Sequence, residues 1–239
     1  MMQEGALRRR VKRELERLET VFGRPRLGRR FSPLDELILT ILSQHTSDVN
    51  RDRAYASLRR AFPRWEEALR ASPSDVEESI RVGGLARTKS GVIQAVLRRI
   101  LRDHGRLDLA SLKSLPVGEA KAYLRGLKGV GEKTACCVLL FACGQPAFPV
   151  DTHIHRVARR LGWVSADATP AKTHAVLADL IPKTRYLTAH VNLITLGRRV
   201  CRARAPACPQ CPLRAGCRYA ALRRRRARAD GLGTRPTLC

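Results

Sequence analysis

The chain has 239 residues, and its 46 lysines and arginines against 21 aspartates and glutamates give a formal net charge of +25. So large a positive charge favours a polyanionic partner, with nucleic acid first and an anionic membrane surface second. No run of 18 apolar residues is present, and no apolar signal region follows Arg8–Arg10. We therefore expect a soluble cytosolic protein without a membrane partner.

Apolar residues recur at helical spacing through most of the chain. The clearest faces are Ile93, Val96, Leu97, Ile100 and Leu101, followed by Ile154, Val157, Ala158 and Leu161. Only Val138–Phe141 is a candidate for a buried strand, and its Ala- and Cys-rich flanks extend it into a longer helical run. Glycine and proline separate these segments. The pattern predicts an all-α protein with about ten helices.

The most informative segment runs from Leu127 to Asp151. Gly129 and Gly131 stand two apart between helical segments, a spacing that suits a tight turn and a close approach of backbones. The N–H groups at the start of the next helix form a seat for phosphate, and Lys133 falls in the first turn of that helix. Asp151 follows at the start of a further helix. The segment therefore predicts chemistry on nucleic acid.

Four of the eight cysteines form a tight array near the C-terminus. They are Cys201, Cys208, Cys211 and Cys217, spaced C-x6-C-x2-C-x5-C. In a cytosolic chain such an array predicts a metal site rather than disulfides. Two groups fit four thiolates, a tetrahedral zinc ion and a [4Fe-4S] cluster, and the spacing alone slightly favours zinc.

These motifs resemble those of the endonuclease III family of base-excision DNA glycosylases. The resemblance covers Leu37–Asn50, Gly84–Leu85 with Lys89, the segment from Leu127 to Asp151, and the cysteine array, whose spacing is the family's own. It implies an all-α fold with two helical lobes, one a six-helix barrel containing a helix-hairpin-helix and the other an iron–sulfur cluster lobe. It also reverses the choice of metal, so we expect a [4Fe-4S] cluster on Cys201, Cys208, Cys211 and Cys217.

The resemblance also implies boundaries for these lobes. An N-terminal helix in 1–30 would pack with the cluster lobe at 146–217, and 31–145 would form the six-helix lobe, with the helix-hairpin-helix at about 117–143. The sequence itself favours a linker at Gly144–Pro149. The basic segment 218–239 is predicted to be a mobile tail that is attracted to DNA or simply solvated.

In the family the hairpin lysine is the nucleophile and the later aspartate assists it, and Lys133 and Asp151 match these positions. An amine that attacks C1′ of a damaged nucleotide displaces the base and leaves a Schiff base, and β-elimination then breaks the strand. A lysine attacks as the neutral amine, and the start of a helix, where the helix dipole is positive, is expected to suit this role. The alternatives are that Lys133 only binds phosphate and that Asp151 only caps its helix.

An enzyme that acts on C1′ within a duplex must rotate the base out and fill the gap. The resemblance places this task on the loop that contains Gln44 and His45 and on Leu85, although a leucine can also be a core residue. The usual gap-filling glutamine aligns with His45, which leaves the opposite-base preference open. The hairpin residues expected to bind the DNA backbone are Lys128, Gly129, Val130 and Gly131.

Related adenine glycosylases lack the lysine and carry a glutamate where this chain has Thr40, which argues against adenine-mismatch excision. We therefore predict a bifunctional DNA glycosylase and abasic-site lyase that removes oxidised pyrimidines. The alternatives are a mismatch or uracil/thymine glycosylase with weak lyase activity, and a non-catalytic helix-hairpin-helix DNA-binding protein. The expected partner is double-stranded DNA with damaged bases or abasic sites, bound by a monomer in the cytoplasm, at the nucleoid if the source is prokaryotic.

Overall fold

A computed structural model describes residues 2–25 and 31–232, which contain α-helices, short 3-10 turns and one π-helical segment but no strand. The all-α prediction is confirmed. Those ranges contain twelve α-helices rather than the predicted ten or so, because the apolar pattern does not distinguish short helices from their neighbours. None of the helices in these ranges is long and apolar enough to cross a lipid bilayer.

The helices are α1 Met2–Phe22, α2 Pro33–Leu42, α3 Asp48–Ala61, α4 Trp65–Arg70, α5 Pro73–Ser79, α6 Ala86–His104, α7 Val117–Arg125, α8 Glu132–Cys137, α9 Thr152–Leu161, α10 Pro170–Leu180, α11 Tyr186–Arg199 and α12 Arg218–Leu232.

The chain forms two compact units. The terminal unit combines Met1–Arg26 with Val150–Cys239, and the central unit is Leu27–Pro149. Both boundaries lie a few residues from the positions expected from the sequence. The second boundary falls at the end of the Gly144–Pro149 segment, where glycine and proline interrupt helix formation.

The central unit contains α2 to α8 around a continuous apolar core. Serine side chains accept hydrogen bonds from backbone N–H groups at the starts of α2, α3 and α5, and proline follows the capping serine of α2 and of α5. The apolar face predicted on α6 is buried with the exception of Leu101, which is 37% exposed because it lies at the edge of that face. The Val138–Phe141 stretch is helical, within a π-helix that spans Val138–Cys143 and continues α8.

The terminal unit packs α1 and α9 against α11. Trp163 is buried, and its Nε1–H donates to Glu14 Oε2 on α1 at 2.5 Å, so the N-terminal helix is joined to the later part of this unit. The apolar face predicted on α9 is buried throughout.

The segment 218–232 differs from the prediction of a mobile tail, because it forms α12 and buries Ala220. Alanine, leucine and arginine have high helix propensity, which accounts for the helix. Residues 233–239, with the Gly/Thr/Pro ending, lie outside the described residues.

Candidate functional site

The hairpin between α7 and α8 requires one glycine for close packing. Gly129 has φ +73°, and a Cβ atom there would lie 2.9 Å from Val92 Cγ1 on α6. Gly131 has no such neighbour, and it precedes α8 with an extended backbone. Lys128 is exposed, but the Val130 side chain is only 6% exposed. Any contact of Val130 with a ligand therefore goes through its backbone.

Lys133 is the second residue of α8, as predicted, and is half-buried. Its neighbour Glu132 joins the two helices of the hairpin, since it accepts from Lys121 Nζ at 2.9 Å and forms an ion pair with Arg125, whose Nε lies 3.3 Å from Glu132 Oε2. Such part-exposed pairs stabilise modestly, but they fix the start of α8. The Lys133 side chain thus projects from a constrained turn.

An acidic residue outside the predicted site interacts electrostatically with Lys133. Glu36 on α2 is half-buried, and its Oε1 accepts from Thr40 Oγ1 at 3.2 Å. Burial raises the pKa of Glu36 to about 7, while Thr40 and the positive charges of Arg51 and Lys133 favour ionisation. The signal available in the sequence was an acid on a helix whose other residues are mostly apolar.

Two loops of the central unit carry left-handed residues that are not glycine. His45 has φ 52° and is exposed, and Leu85 has φ 51° and is 57% exposed. The prediction that Leu85 lies in an exposed loop rather than in the core is confirmed. Gln44 reaches the hairpin, since its Nε2 donates to Gly129 O at 3.4 Å. Strained backbone at non-glycine residues is concentrated at functional sites.

Asp151 belongs to the terminal unit and caps α9, because its Oδ1 accepts from the Ile154 N–H at 2.8 Å. The predicted capping role is therefore confirmed. Arg156, one turn further along α9, donates from Nε to Cys201 O at 3.0 Å and from Nη2 to Gly197 O at 2.8 Å. The helix that Asp151 begins is thus bonded to the start of the cysteine array.

The four predicted cysteines line one cavity of the terminal unit together with apolar side chains, and none of them forms a disulfide. Burial raises the pKa of the Cys211 and Cys217 thiols, while the backbone N–H groups of Leu213 beside Cys211 and of Tyr219 and Ala220 beside Cys217 oppose that rise. N–H donors directed at sulfur stabilise negative charge on a thiolate-bound metal group. This set of donors fits a zinc ion or an iron–sulfur cluster.

Arg160 holds the loop that begins the array, a role that the sequence did not reveal. Its Nη1 lies 3.3 Å from Cys201 Sγ and 2.7 Å from Arg202 O, and its Nη2 lies 3.0 Å from Ala203 O. Its Cζ lies 4.6 Å from the centre of the Tyr219 ring. One guanidinium therefore joins the sulfur, the loop backbone and α12.

Comparison with known proteins matches residues 38–183 to the HhH-GPD superfamily of base excision DNA repair proteins. The chain is 42% identical over 167 residues to "Putative DNA glycosylase At3g47830" of Arabidopsis thaliana, a match that covers 70% of this chain and 57% of that protein. It is 34% identical over 195 residues to Endonuclease III of Thermotoga maritima, covering 82% of this chain and 87% of that one.

Among solved structures, an Endonuclease III trapped as a covalent intermediate on DNA superposes with a TM-score of 0.78 and 29% identity, over 91% of this chain and 98% of that chain. The match of residues 38–183, which exceeds half of the chain, agrees with the helical fold and the glycine hairpin. The chain belongs to the HhH-GPD superfamily of base excision DNA repair proteins.

Proposed function

We propose that the protein is a DNA glycosylase and abasic-site lyase that uses Lys133 as its nucleophile. The observation that carries the proposal is the placement of Lys133 in the first turn of α8, directly after the glycine hairpin. Membership of a base-excision repair superfamily supports a reaction at C1′ of a nucleotide. The Endonuclease III trapped on DNA forms a covalent intermediate, which agrees with nucleophilic catalysis.

In the proposed reaction the neutral Lys133 amine attacks C1′, the new N–C1′ bond forms, and the glycosidic C1′–N bond breaks with its electron pair on the base. The departing base takes up a proton, and the amine nitrogen loses one. The C1′–O4′ bond then breaks as the nitrogen lone pair forms the C1′=N bond of a Schiff base, and O4′ takes up a proton. Loss of a C2′ proton forms the C2′=C3′ bond, and the C3′–O bond breaks with the 3′ phosphate as the leaving group, which completes β-elimination. Asp151, held by its capping bond, stabilises positive charge on the sugar and accepts the amine proton.

The proposed substrate is double-stranded DNA with an oxidised pyrimidine or an abasic site. The chain's strong positive charge suits such a polyanion, and the pyrimidine class is what the resemblance to the endonuclease III family implies. In this proposal Gln44, His45 and Leu85 enter the duplex, and the hairpin from Lys128 to Gly131 holds the backbone. We expect the protein to act as a monomer in the cytoplasm.

We propose that Cys201, Cys208, Cys211 and Cys217 hold a [4Fe-4S] cluster. When bound, the cluster supplies a rigid and charged centre for the loop rather than a step in base excision. The exposed Arg202 and Arg204 side chains on that loop are then presented to phosphates.

The proposal is tested with duplexes that contain one oxidised pyrimidine, uracil opposite guanine, thymine opposite guanine, or an abasic site. Base release and strand cleavage are scored separately on each duplex. We expect release with cleavage on the oxidised pyrimidine and cleavage at the abasic site. Base release from the mismatches without cleavage would establish the mismatch alternative instead, and salt-dependent binding without product on every duplex would establish a non-catalytic protein.

A further inference from the structure

Lys89 on α6 is a buried cation that joins two loops of the central unit. It is 3% exposed, and its Nζ donates to Leu42 O and to Gly83 O, each at 2.8 Å. Among the described residues its bonded partners are these two carbonyl oxygens and no carboxylate. Burial lowers the pKa of the Lys89 ammonium. Burying a cation without a neighbouring carboxylate costs free energy, and the two hydrogen bonds to carbonyl oxygens offset part of that cost.

The two carbonyls end two different structural elements. Leu42 is the last residue of α2, where carbonyl groups lack partners within the helix. Gly83 ends the 3-10 turn Arg81–Gly83. Each carbonyl is followed within three residues by a left-handed residue that is exposed, His45 after Leu42 and Leu85 after Gly83. One ammonium group is therefore bonded to the base of both loops.

Lys89 also lies close in sequence to only one of the loops. Its bond to Gly83 spans six residues, whereas its bond to Leu42 spans 47. The local bond alone would satisfy the end of the 3-10 turn. The long-range bond makes the position of the His45 loop depend on that of the Leu85 loop. A methionine at this position would fill a similar volume and leave both buried carbonyls without their donor.

We propose that Lys89 is a positioning residue that holds the loops of His45 and Leu85 in one arrangement, so that both side chains enter the duplex together when the target nucleotide is rotated out. The inference rests on the proposed function, because it assumes a target that leaves the base stack. Two side chains that act together can fill the space left by the base and interrupt the stack. If each loop moved independently, the extruded state would lose that joint support.

The first test compares Lys89→Met with the wild type in single-turnover excision of one lesion in two settings. In one duplex the lesion is paired, and in the other it stands opposite an abasic-site analogue and needs no unpairing. The inference predicts a loss of about tenfold or more on the paired lesion and a much smaller loss on the unpaired one, since unpairing costs a few kcal/mol. Equal losses on the two duplexes would overturn it, because a purely structural defect affects both.

A double-mutant cycle tests whether Lys89 acts through Leu85. Lys89→Met is compared in the wild type and in Leu85→Ala, and the inference predicts a large loss in the first background and little further loss in the second. Additive losses would overturn it.

If Lys89→Met does not fold, a second double-mutant cycle replaces the first. It combines His45→Ala with Leu85→Ala in the chain that keeps Lys89. Strong coupling of those two losses supports the inference, and additivity contradicts it.

A fluorescence measurement separates this inference from the proposed chemistry. A 2-aminopurine beside the target brightens when the target leaves the stack, whether or not the base is then removed. A wild-type protein that extrudes the target but releases no base would overturn the proposed function only. The inference is then judged by whether Lys89→Met reduces the brightening, as predicted, or leaves it unchanged.

Discussion

The Thr40 hydroxyl donates a hydrogen bond to the Glu36 carboxylate, 3.2 Å away and one turn earlier on α2. This chain therefore has an acid on α2, one turn before Thr40. The charge of Lys133 acts on that acid. The proposed nucleophile therefore acts electrostatically on a carboxyl group whose ionisation depends on pH in the neutral range.

Glu36→Gln should change how stability depends on pH. Burial raises the pKa of Glu36 from 4.5 to about 7, so the folded chain holds this proton more tightly than the unfolded chain does. The contribution of Glu36 to stability is therefore fully present below pH 4.5 and is lost as the pH rises through 7. The variant should gain about 1–3 kcal/mol relative to the wild type between pH 5 and pH 8. Urea unfolding at both pH values measures this, and an unchanged difference would contradict it.

Gly129→Ala should destabilise the hairpin while Gly131→Ala does not. A Cβ at Gly129 would clash with Val92 and force a left-handed φ on alanine, whereas Gly131 has open space and an extended backbone. We expect a loss of about 1–3 kcal/mol for the first variant and less than about 1 kcal/mol for the second. Thermal and urea unfolding measure both. Equal losses would show that close packing at Gly129 is not what requires glycine.

Asp151→Asn separates capping from chemistry. Asparagine caps helices about as well as aspartate, so the stability of Asp151→Asn should stay within about 0.5 kcal/mol of the wild type, and Asp151→Ala should lose about 1 kcal/mol. Because the carboxylate charge is lost in both variants, base excision should fall by about 10²-fold or more in both. Calorimetry and single-turnover excision are measured together. An Asp151→Asn variant with full activity would reduce Asp151 to a helix cap.

Arg160→Gln should weaken retention of the proposed cluster. The substitution removes the donor to Cys201 Sγ and the bonds to the loop carbonyls, and such supporting groups change metal affinity by about 10–100-fold. Iron content and the decay of absorbance near 400 nm under a chelator measure the effect. Arg159→Gln, at the exposed neighbouring position, is the matched control. Equal rates of iron loss in the two variants would contradict a role for Arg160.

The hairpin, the start of α8 and the Asp151 cap were predictable because each depends on residues within a few positions. The roles of Lys89 and Arg160 were not, because these residues bond to partners far away in sequence: the Lys89–Leu42 bond spans 47 residues, and the bond from Arg160 to Cys201 Sγ spans 41. Glu36 was missed because its raised pKa comes from burial, which depends on the packing of the whole unit. The helix of 218–232 was missed because charge was given more weight than helix propensity. A pattern of residue types thus predicted the reactive groups, and packing revealed residues that hold the loops and helices around them.

Covalent trapping at Lys133 tests the central claim most directly. With borohydride and an abasic-site duplex, the wild-type protein should form a covalent adduct, and peptide mapping should place it on Lys133. Lys133→Gln should form none, while Lys172→Gln, at an exposed lysine on α10, should form as much as the wild type. An adduct that persists undiminished in Lys133→Gln would contradict the assignment of Lys133 as the nucleophile.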